Sequence, residues 1–290
     1  MFGNQRIGAE RHCSPALAVS YEGGNPSLLE RVLPFVDYLE ATPDTLTEIG
    51  DGAPCLRESA ISELKNVGSD ARIIVHGVGL SIGAYSGYSE EYLQVLDALV
   101  QKVDIAWHSE HLGYVTVDGE DLGTMLPLPR TEEALDMICE RVYRIQKRYR
   151  LPFLLENVVY LLPDRDADYS EAGFLNAITA RTGCELLLDI YNLECDAYNR
   201  GLNIPGFLDE LNLDPVRELH LAGGIVHKGI KLDVHSKVTQ DSTIALAKEA
   251  LAIARGVKAV TYELLPEAVP LLGEVAIAQE LQRLSQALGN

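Results

Sequence analysis

Eight short apolar segments, separated by stretches with helical spacing, run the length of this 290-residue chain. The segments lie at 16–21, 36–40, 72–76, 103–111, 152–157, 184–189, 216–220 and 258–263. Residues 131–149 show the clearest helix, because apolar side chains recur there every three or four positions after Thr131, the predicted N-cap. Strands alternating with helices form parallel sheets, and a count of eight favours a closed barrel over an open doubly wound sheet. We therefore predict the α/β class and a (β/α)8 TIM barrel.

The length of the chain limits the number of domains, and its charge limits the kinds of partner that it can bind. The length fits one barrel, so we predict a single domain over residues 1–290 with an irregular lead-in at 1–15. No glycine-rich nucleotide-binding motif of the GxGxxG or GxxxxGK[ST] type competes with this assignment. The chain has 43 acidic and 24 basic residues, a formal net charge of −19, which argues against a nucleic-acid partner.

The cysteines and the N-terminal sequence indicate the compartment. The five cysteines are widely spaced and form no CxxC pair, so neither a disulfide framework nor a zinc ribbon is indicated. The N-terminus lacks the apolar core of a signal peptide, and no apolar run approaches the roughly 18 residues of a membrane span. We expect a cytoplasmic protein without a membrane partner.

Most of the predicted strands end in a histidine or a carboxylate. In a parallel barrel the carboxyl ends of all strands meet at one mouth, so these side chains should converge there. Two further ligand-type residues, Asp233 and His235, follow the seventh strand in a short loop. The residues at the strand ends are His76, His111, Glu156, Asp189, His220 and Glu263.

Taken together, these residues predict a metal site. Any one of them has an ordinary explanation as a core histidine or a helix-capping carboxylate. Glu156 and Asp189, however, directly follow apolar runs and should be buried, where an unpaired carboxylate is costly and a cation compensates for it. The set exceeds the ligands of one ion, so we predict two or three ions that share carboxylates. The lack of thiolates suits iron or manganese, and equally zinc in a hydrolytic role.

Between residues 76 and 235 the chain carries an ordered set of short motifs. They are HGVGL at 76–80, SEHL at 109–112, LPLP at 126–129, LLEN at 154–157, LLD at 187–189, HLAG at 220–223 and DVH at 233–235. The set resembles the multinuclear non-heme iron-dependent oxidases, a family that includes the catalytic subunit of methanobactin biosynthesis. Weaker similarity extends over 21–40 and to Glu263.

The resemblance implies a TIM barrel with two or three irons in mixed Fe(II) and Fe(III) states, and dioxygen as the cosubstrate. It implies that Glu156, Asp189, His220 and Asn192 are catalytic. Members of the family modify ribosomally made precursor peptides, usually at cysteine and in some cases at other C-terminal residues, together with a small partner protein that recognises the peptide's leader. The ligands implied are His76, His111, Glu156, Asp189, His220, Asp233, His235 and Glu263, with Asn192 as a ligand or a supporting group.

The chain departs from the family pattern near the third metal position. Gly224 stands where the family commonly has a histidine, and Ser236 where it has an aspartate. His227, three residues beyond Gly224, is either a replacement ligand or an exposed loop residue. Glu110 is expected to orient a ligand rather than to bind metal itself.

Three other functions fit parts of the pattern. A trinuclear zinc phosphodiesterase of the apurinic-site endonuclease type resembles this ligand order and would use metal-activated water. The acidic charge and Asn192, where that family places a histidine, count against it. A sugar isomerase would need a catalytic lysine or histidine pair that the sequence does not identify. A non-catalytic scaffold for peptide maturation ranks below the oxidase and the phosphodiesterase, and Gly224 favours it.

Three lysines cluster after the seventh strand of an otherwise acidic chain. Lys228, Lys231 and Lys237 lie in the segment around the predicted ligands Asp233 and His235. A solvated loop is the favoured interpretation, because charge runs usually face water. The alternative is that these lysines hold a carboxylate of a peptide.

Overall fold

The structure is a computed structural model that describes residues 15–50, 52–68, 70–161 and 166–289. The predicted lead-in, apart from Pro15, lies outside these residues. The described strands are β1 (Ala16–Tyr21), β2 (Tyr38–Ala41), β3 (Thr47–Gly50), β4 (Ala53–Leu56), β5 (Arg72–Gly77), β6 (Ile105–His111), β7 (Gly113–Val117), β8 (Glu120–Pro127), β9 (Phe153–Glu156), β10 (Glu185–Asp189), β11 (Val216–Leu221), β12 (Ile225–His227), β13 (Ile230–Leu232) and β14 (Ala259–Tyr262).

The helices follow the strands along the chain. They are α1 (Pro26–Val32), α2 (Glu58–Val67), α3 (Glu90–Lys102), α4 (Glu132–Tyr149), α5 (Glu171–Thr182), α6 (Ile190–Arg200), α7 (Ile204–Glu210), α8 (Asp241–Ile253), α9 (Ala268–Leu272) and α10 (Glu274–Leu288). Helix α4 shows why its sequence is helical. The Thr131 side chain accepts a hydrogen bond from the Ala134 amide at 3.2 Å, as predicted for an N-cap, and Arg150 ends the helix in the left-handed region.

Eight of these strands form a closed barrel in the order β1, β14, β11, β10, β9, β6, β5, β2. Every neighbouring pair is parallel, and closure is made by β1 against β14, from Ala16 opposite Ala259 to Val19 opposite Tyr262. The predicted (β/α)8 barrel is therefore confirmed. All eight carboxyl ends open on the same mouth.

The barrel interior below the mouth is filled by apolar side chains. Ile74, Trp107 and Leu154 pack there with three smaller or similar residues, Ala18, Leu187 and Ala259. A second and larger apolar cluster lies between the outside of the barrel and the helices. Because side chains alternate along a strand, the inward face of β9 carries Leu154 and then, two residues later, Glu156. The same strand thus supplies both core and site.

Within the described residues, three antiparallel hairpins lie in the connections that leave the mouth, and the sequence patterns did not predict them. They are β3 with β4, β7 with β8, and β12 with β13. The last one turns at Lys228 and Gly229, which have φ of 49° and 82° and so match a two-residue hairpin turn. Among the described residues, no helix has the length and apolar character needed to cross a membrane.

Candidate metal centre

The predicted ligands at the strand ends do converge at the mouth. His76 lies near the end of β5, His111 ends β6, Glu156 ends β9 and Asp189 ends β10. His220 and Glu263 come from the ends of β11 and β14. Ligand-type atoms of these residues fall into groups whose members lie within 4.8 Å of one another. The groups are His76, His111 and Glu156; Glu156, Asp189, His220 and Glu263; and Glu40, His76 and His220.

The first group places two imidazoles on one carboxylate oxygen. Glu156 Oε2 lies 3.2 Å from His76 Nε2 and 3.3 Å from His111 Nε2. The other ring nitrogens are already used. His111 Nδ1 donates to the Gly77 carbonyl at 3.0 Å, and His76 Nδ1 donates to the Ser109 hydroxyl at 2.9 Å, whose own hydrogen goes to a backbone carbonyl. Both Nε2 atoms therefore present lone pairs.

Electrostatics make this first group unfavourable without a cation. Burial lowers the pKa of His76 and of His111, so both rings are neutral at pH 7, and burial raises the pKa of Glu156 well above its usual range. A proton on Glu156 satisfies only one of the two nitrogens that face it. His76 Nε2 and Glu156 Oε2 have no hydrogen-bond partner, so a cation between them matches the donor set.

His220 is in the opposite electrostatic state. Its Nδ1 lies 2.7 Å from Glu263 Oε2 and its Nε2 lies 3.0 Å from Glu40 Oε2. Although burial opposes it, these two carboxylates raise the pKa of His220 well above the usual value. Burial also raises the pKa of Glu40 to about 8, so this pair retains a proton at pH 7 that a metal ion would displace.

A third set of side chains meets beside Asp189. Its Oδ1 caps α6 by accepting from the Asn192 amide at 2.6 Å, which leaves Oδ2 without a partner. His235 Nε2 lies 4.0 Å from that Oδ2 and in ion-pair contact with Asp233. Asn192 donates through Nδ2 to the Asn157 carbonyl at 3.0 Å, and its Oδ1 has no hydrogen-bond partner. The unpartnered oxygens of Asp189 and Asn192, with His235 Nε2 facing the first of them, are donor atoms that a further cation would use.

Burial and neighbouring charges also set the protonation of this third set. Burial, with the nearby Asp233 carboxylate, raises the pKa of Asp189 to about 7. Burial opposes protonation of His235, but the carboxylates of Asp233 and Glu263 raise the pKa of His235 well above its usual value. Glu263, held between His235 and His220, has a pKa well below the ordinary range despite its burial. Without a cation, this part of the site therefore holds protons on Asp189 and His235, at the positions where a cation would bind.

The structure places the remaining predicted residues outside these groups. Glu110 lies on the outer face of β6, where its Oε1 is 2.7 Å from His108 Nε2. A side chain at Gly224 would begin 2.5 Å from both the Leu232 carbonyl oxygen and the Tyr191 hydroxyl, so that position has no room for a ligand. His227 is exposed on β12, and the convergent groups found among the described residues do not include it.

Glu40 is a site residue that the sequence analysis missed. It is 1% exposed and touches His220 from β2. The pattern that identified Glu156, a carboxylate directly after buried apolar residues near a strand end, is also present at Glu40. Applied to the second strand, it would have found this residue.

With this geometry established, similarity to known proteins decides the family. A family model described as "RiPP precursor modification enzyme MbnB/TglH/ChrH", for enzymes acting on ribosomally made and modified peptides, matches residues 24–283. The chain belongs to this family. Membership confirms the resemblance to the methanobactin-type enzymes and supports modification of a precursor peptide as its activity.

Relatives and solved structures agree with this family and with the fold. A UPF0276 protein of Caulobacter vibrioides is 33% identical over 224 residues, which cover 77% of this chain and 78% of the relative. One from Anaeromyxobacter sp. is 34% identical over 71% and 70% of the two chains. An L-ribulose 3-epimerase structure shares 13% identity at a TM-score of 0.60, covering 95% of each chain. A xylose isomerase domain protein of Salmonella typhimurium reaches 0.61 at 12% identity, covering 97% and 100%, and these two structures support the barrel fold alone.

Proposed function

We propose that this family member is a multinuclear iron-dependent oxidase that uses dioxygen to modify a ribosomally made precursor peptide, most often at cysteine. One observation carries the proposal. Two neutral imidazoles direct their Nε2 lone pairs at one buried carboxylate oxygen of Glu156, an arrangement that a cation stabilises and a proton does not. Imidazole and carboxylate donors without thiolate suit iron.

Three sets of side chains would hold the ions. His76, His111 and Glu156 form the first set. Glu156 is shared with the second set, which adds Asp189, His220 and Glu263. Asp189 is shared in turn with the third set, which adds His235 with Asp233 and, through the cap of α6, Asn192. Carboxylates shared between sets would let neighbouring ions act together in one reaction.

The roles of the chain's own residues follow from their contacts. Bound iron would supply a positive charge that binds the substrate thiolate, and one-electron redox chemistry with dioxygen. Asn192 holds Glu156 in place, because its Nδ2 lies 3.4 Å from Glu156 Oε1 while it donates to the Asn157 carbonyl. The hydrogen bonds that His76 and His111 donate through Nδ1 fix the ring orientations and leave Nε2 for metal. Asp189 and His220 complete the catalytic set.

We further propose the substrate and partners of this site. The substrate is a precursor peptide, and a small protein that binds its leader delivers it to the mouth. The family description, which specifies precursor modification, supports the first part. Residues 1–290 act as one domain in this proposal, since strands from both ends of the chain close the same barrel.

Metal analysis tests the proposal most directly. Protein purified without oxygen from iron-supplemented cells is expected to contain two or three irons per chain, with an exchange-coupled mixed-valent signal in Mössbauer spectra. Incubation with peptide and dioxygen should then yield a product of altered mass. Stoichiometric zinc without iron would contradict the oxidase and favour the hydrolytic alternative, and little metal of any kind would favour the scaffold.

A further inference from the structure

The hairpin of β12 and β13 is fastened to α6 through the backbone of Lys231. Asn199, on α6, accepts a hydrogen bond from the Lys231 amide at 2.8 Å and donates one to the Lys231 carbonyl at 2.8 Å. In this hairpin Lys231 pairs with Val226, and its peptide groups point away from that partner strand. The Asn199 side-chain amide thus makes with the edge of β13 the same pair of hydrogen bonds that a neighbouring strand would make.

The Lys231 side chain makes a second connection to the same helix. Its Nζ lies 3.3 Å from Glu194 Oε2 and 4.6 Å from the centre of the Tyr191 ring. Lys231 is only 8% exposed, and Glu194 also accepts a hydrogen bond from the Thr243 hydroxyl at 2.5 Å. Lys231 is therefore neither a solvated loop residue nor available to hold a peptide carboxylate. The sequence-based interpretations of this lysine were wrong.

A third contact lies at the neck of the hairpin, where Gly224 and Leu232 enter and leave it. The Tyr191 hydroxyl donates to the Leu232 carbonyl at 3.4 Å, and Gly224 packs so closely that an added Cβ would lie 2.5 Å from that hydroxyl. Helix α6 therefore contacts the hairpin at three points. Tyr191 contacts the end of β13, Asn199 pairs with its edge, and Glu194 binds the Lys231 side chain. The first residues of the same helix are those that Asp189 caps, and Asn192 lies in its first turn.

We propose that Lys231 and Asn199 are positioning residues that hold Asp233 and His235 against Asp189, so that the ion of the third set depends on contacts outside the metal centre. The inference rests on the metal centre of the proposed function and adds to it which residues fix the third set. Asp233 follows β13 directly, two residues after Lys231, and no barrel strand carries either Asp233 or His235 within the described residues. His235 is also held from its C-terminal side, because its carbonyl accepts from the Leu265 amide at 3.2 Å and its Nδ1 lies 3.1 Å from Glu263 Oε2. The contacts of the hairpin with α6 position Asp233 and, through it, the N-terminal side of His235.

The test compares Fe(II) binding by the metal-free parent protein and four variants under anaerobic conditions. Lys231→Met removes the charge but keeps the length of the side chain, and Asn199→Ala removes the backbone clamp but keeps the ion pair. Lys228→Met is the matched control, since Lys228 is exposed at the tip of the same hairpin. Lys231→Arg tests rescue by another cation. Affinities come from chelator competition, and Mössbauer spectra distinguish the individual ions.

Lys231→Met and Asn199→Ala are each expected to weaken one Fe(II) equivalent by about 10- to 100-fold, the usual effect of losing an outer partner of a ligand. The Mössbauer subspectrum of the remaining ions should not change, and Lys228→Met and Lys231→Arg should match the parent. If Lys231→Met does not fold, Asn199→Ala alone decides. A parent that binds Fe(II) and two variants with parental affinities for every equivalent would overturn the positioning role. A parent that binds no Fe(II) would instead contradict the proposed function, and this inference with it.

Discussion

The two halves of the metal centre are held by different parts of the fold. His76, His111 and Glu156 lie on the adjacent strands β5, β6 and β9, and the ladder itself sets their spacing, with His111 directly opposite Glu156. Asp233 and His235 lie beyond a hairpin that is no part of the barrel. A ladder of backbone hydrogen bonds tolerates a changed side chain. The hairpin half depends on a few tertiary contacts, and a single substitution can displace it.

The largest effect is expected at Glu156, which the first two sets share. Glu156→Gln keeps the shape but removes the charge that balances a cation beside His76 and His111. Iron should be lost from both sets, and peptide modification should fall by more than the roughly 100-fold that loss of an outer ligand partner costs. Iron per chain and product mass measure this. Glu110→Gln is the control, a buried carboxylate on the outer face of β6, and parental iron in Glu156→Gln would refute the assignment.

Asp233→Asn should affect only the hairpin half. Asp233 contacts His235, and neither belongs to the groups centred on Glu156. We expect the loss of one iron equivalent per chain, with the ions of the strand half retained and their Mössbauer parameters unchanged. Elemental analysis and Mössbauer spectra of the variant measure this difference. A simultaneous loss of every ion would show that the two halves are not separable.

The strand half was predictable from sequence because a strand has a fixed period and direction. Once Leu154 and Leu155 indicated a buried strand, Glu156 had to end it at the mouth of a parallel barrel. The same reasoning placed His76 and Asp189. It required no knowledge of which strands are neighbours, since every carboxyl end reaches the same place.

The hairpin half was predictable only as a set of residue types. The sequence identifies Asp233 and His235 as ligands, but not the contacts that place them. Lys231 looks like any charged loop residue until tertiary structure puts Glu194 and the Tyr191 ring beside it. Such contacts join residues 30 or more positions apart, and no local periodicity encodes them. The three hairpins were missed for a related reason, because short exposed strands carry little apolar pattern.

Gly224→Ala tests how tightly the neck of the hairpin is packed. The added methyl would lie 2.5 Å from the Leu232 carbonyl oxygen and from the Tyr191 hydroxyl. Relieving the first contact requires a shift of the backbone, which costs free energy. We expect a loss of about 3 kcal/mol in the free energy of unfolding, at the upper end for overpacking. Urea denaturation measures it. Adding Tyr191→Phe removes one of the two clashes and should recover part of the loss, whereas a fully stable Gly224→Ala would show that the neck is loose.

The smallest effect concerns pH, and it depends on which histidines of the centre are protonated. Burial keeps His76 and His111 neutral, whereas neighbouring carboxylates raise the pKa of His220 and of His235 despite burial. Above pH 6.5 the unfolded chain has lost the protons of these groups. The folded metal-free chain keeps at least one proton, which the pair of His220 and Glu40 shares. Burial raises the pKa of Glu40 to about 8.

The folded state therefore binds more protons than the unfolded state in this range, and its stability must fall as pH rises. One retained proton from pH 6.5 to 8 corresponds to about 2 kcal/mol. Urea denaturation of metal-free protein at several pH values should show this slope. Loading with Fe(II) should flatten it, because the metal displaces that proton. The variant Glu40→Gln should reduce the slope without metal, since it removes one of the carboxylates that hold the proton on His220, whereas Glu263 remains beside that ring. A metal-free stability that rises over this range would contradict the assigned charge states.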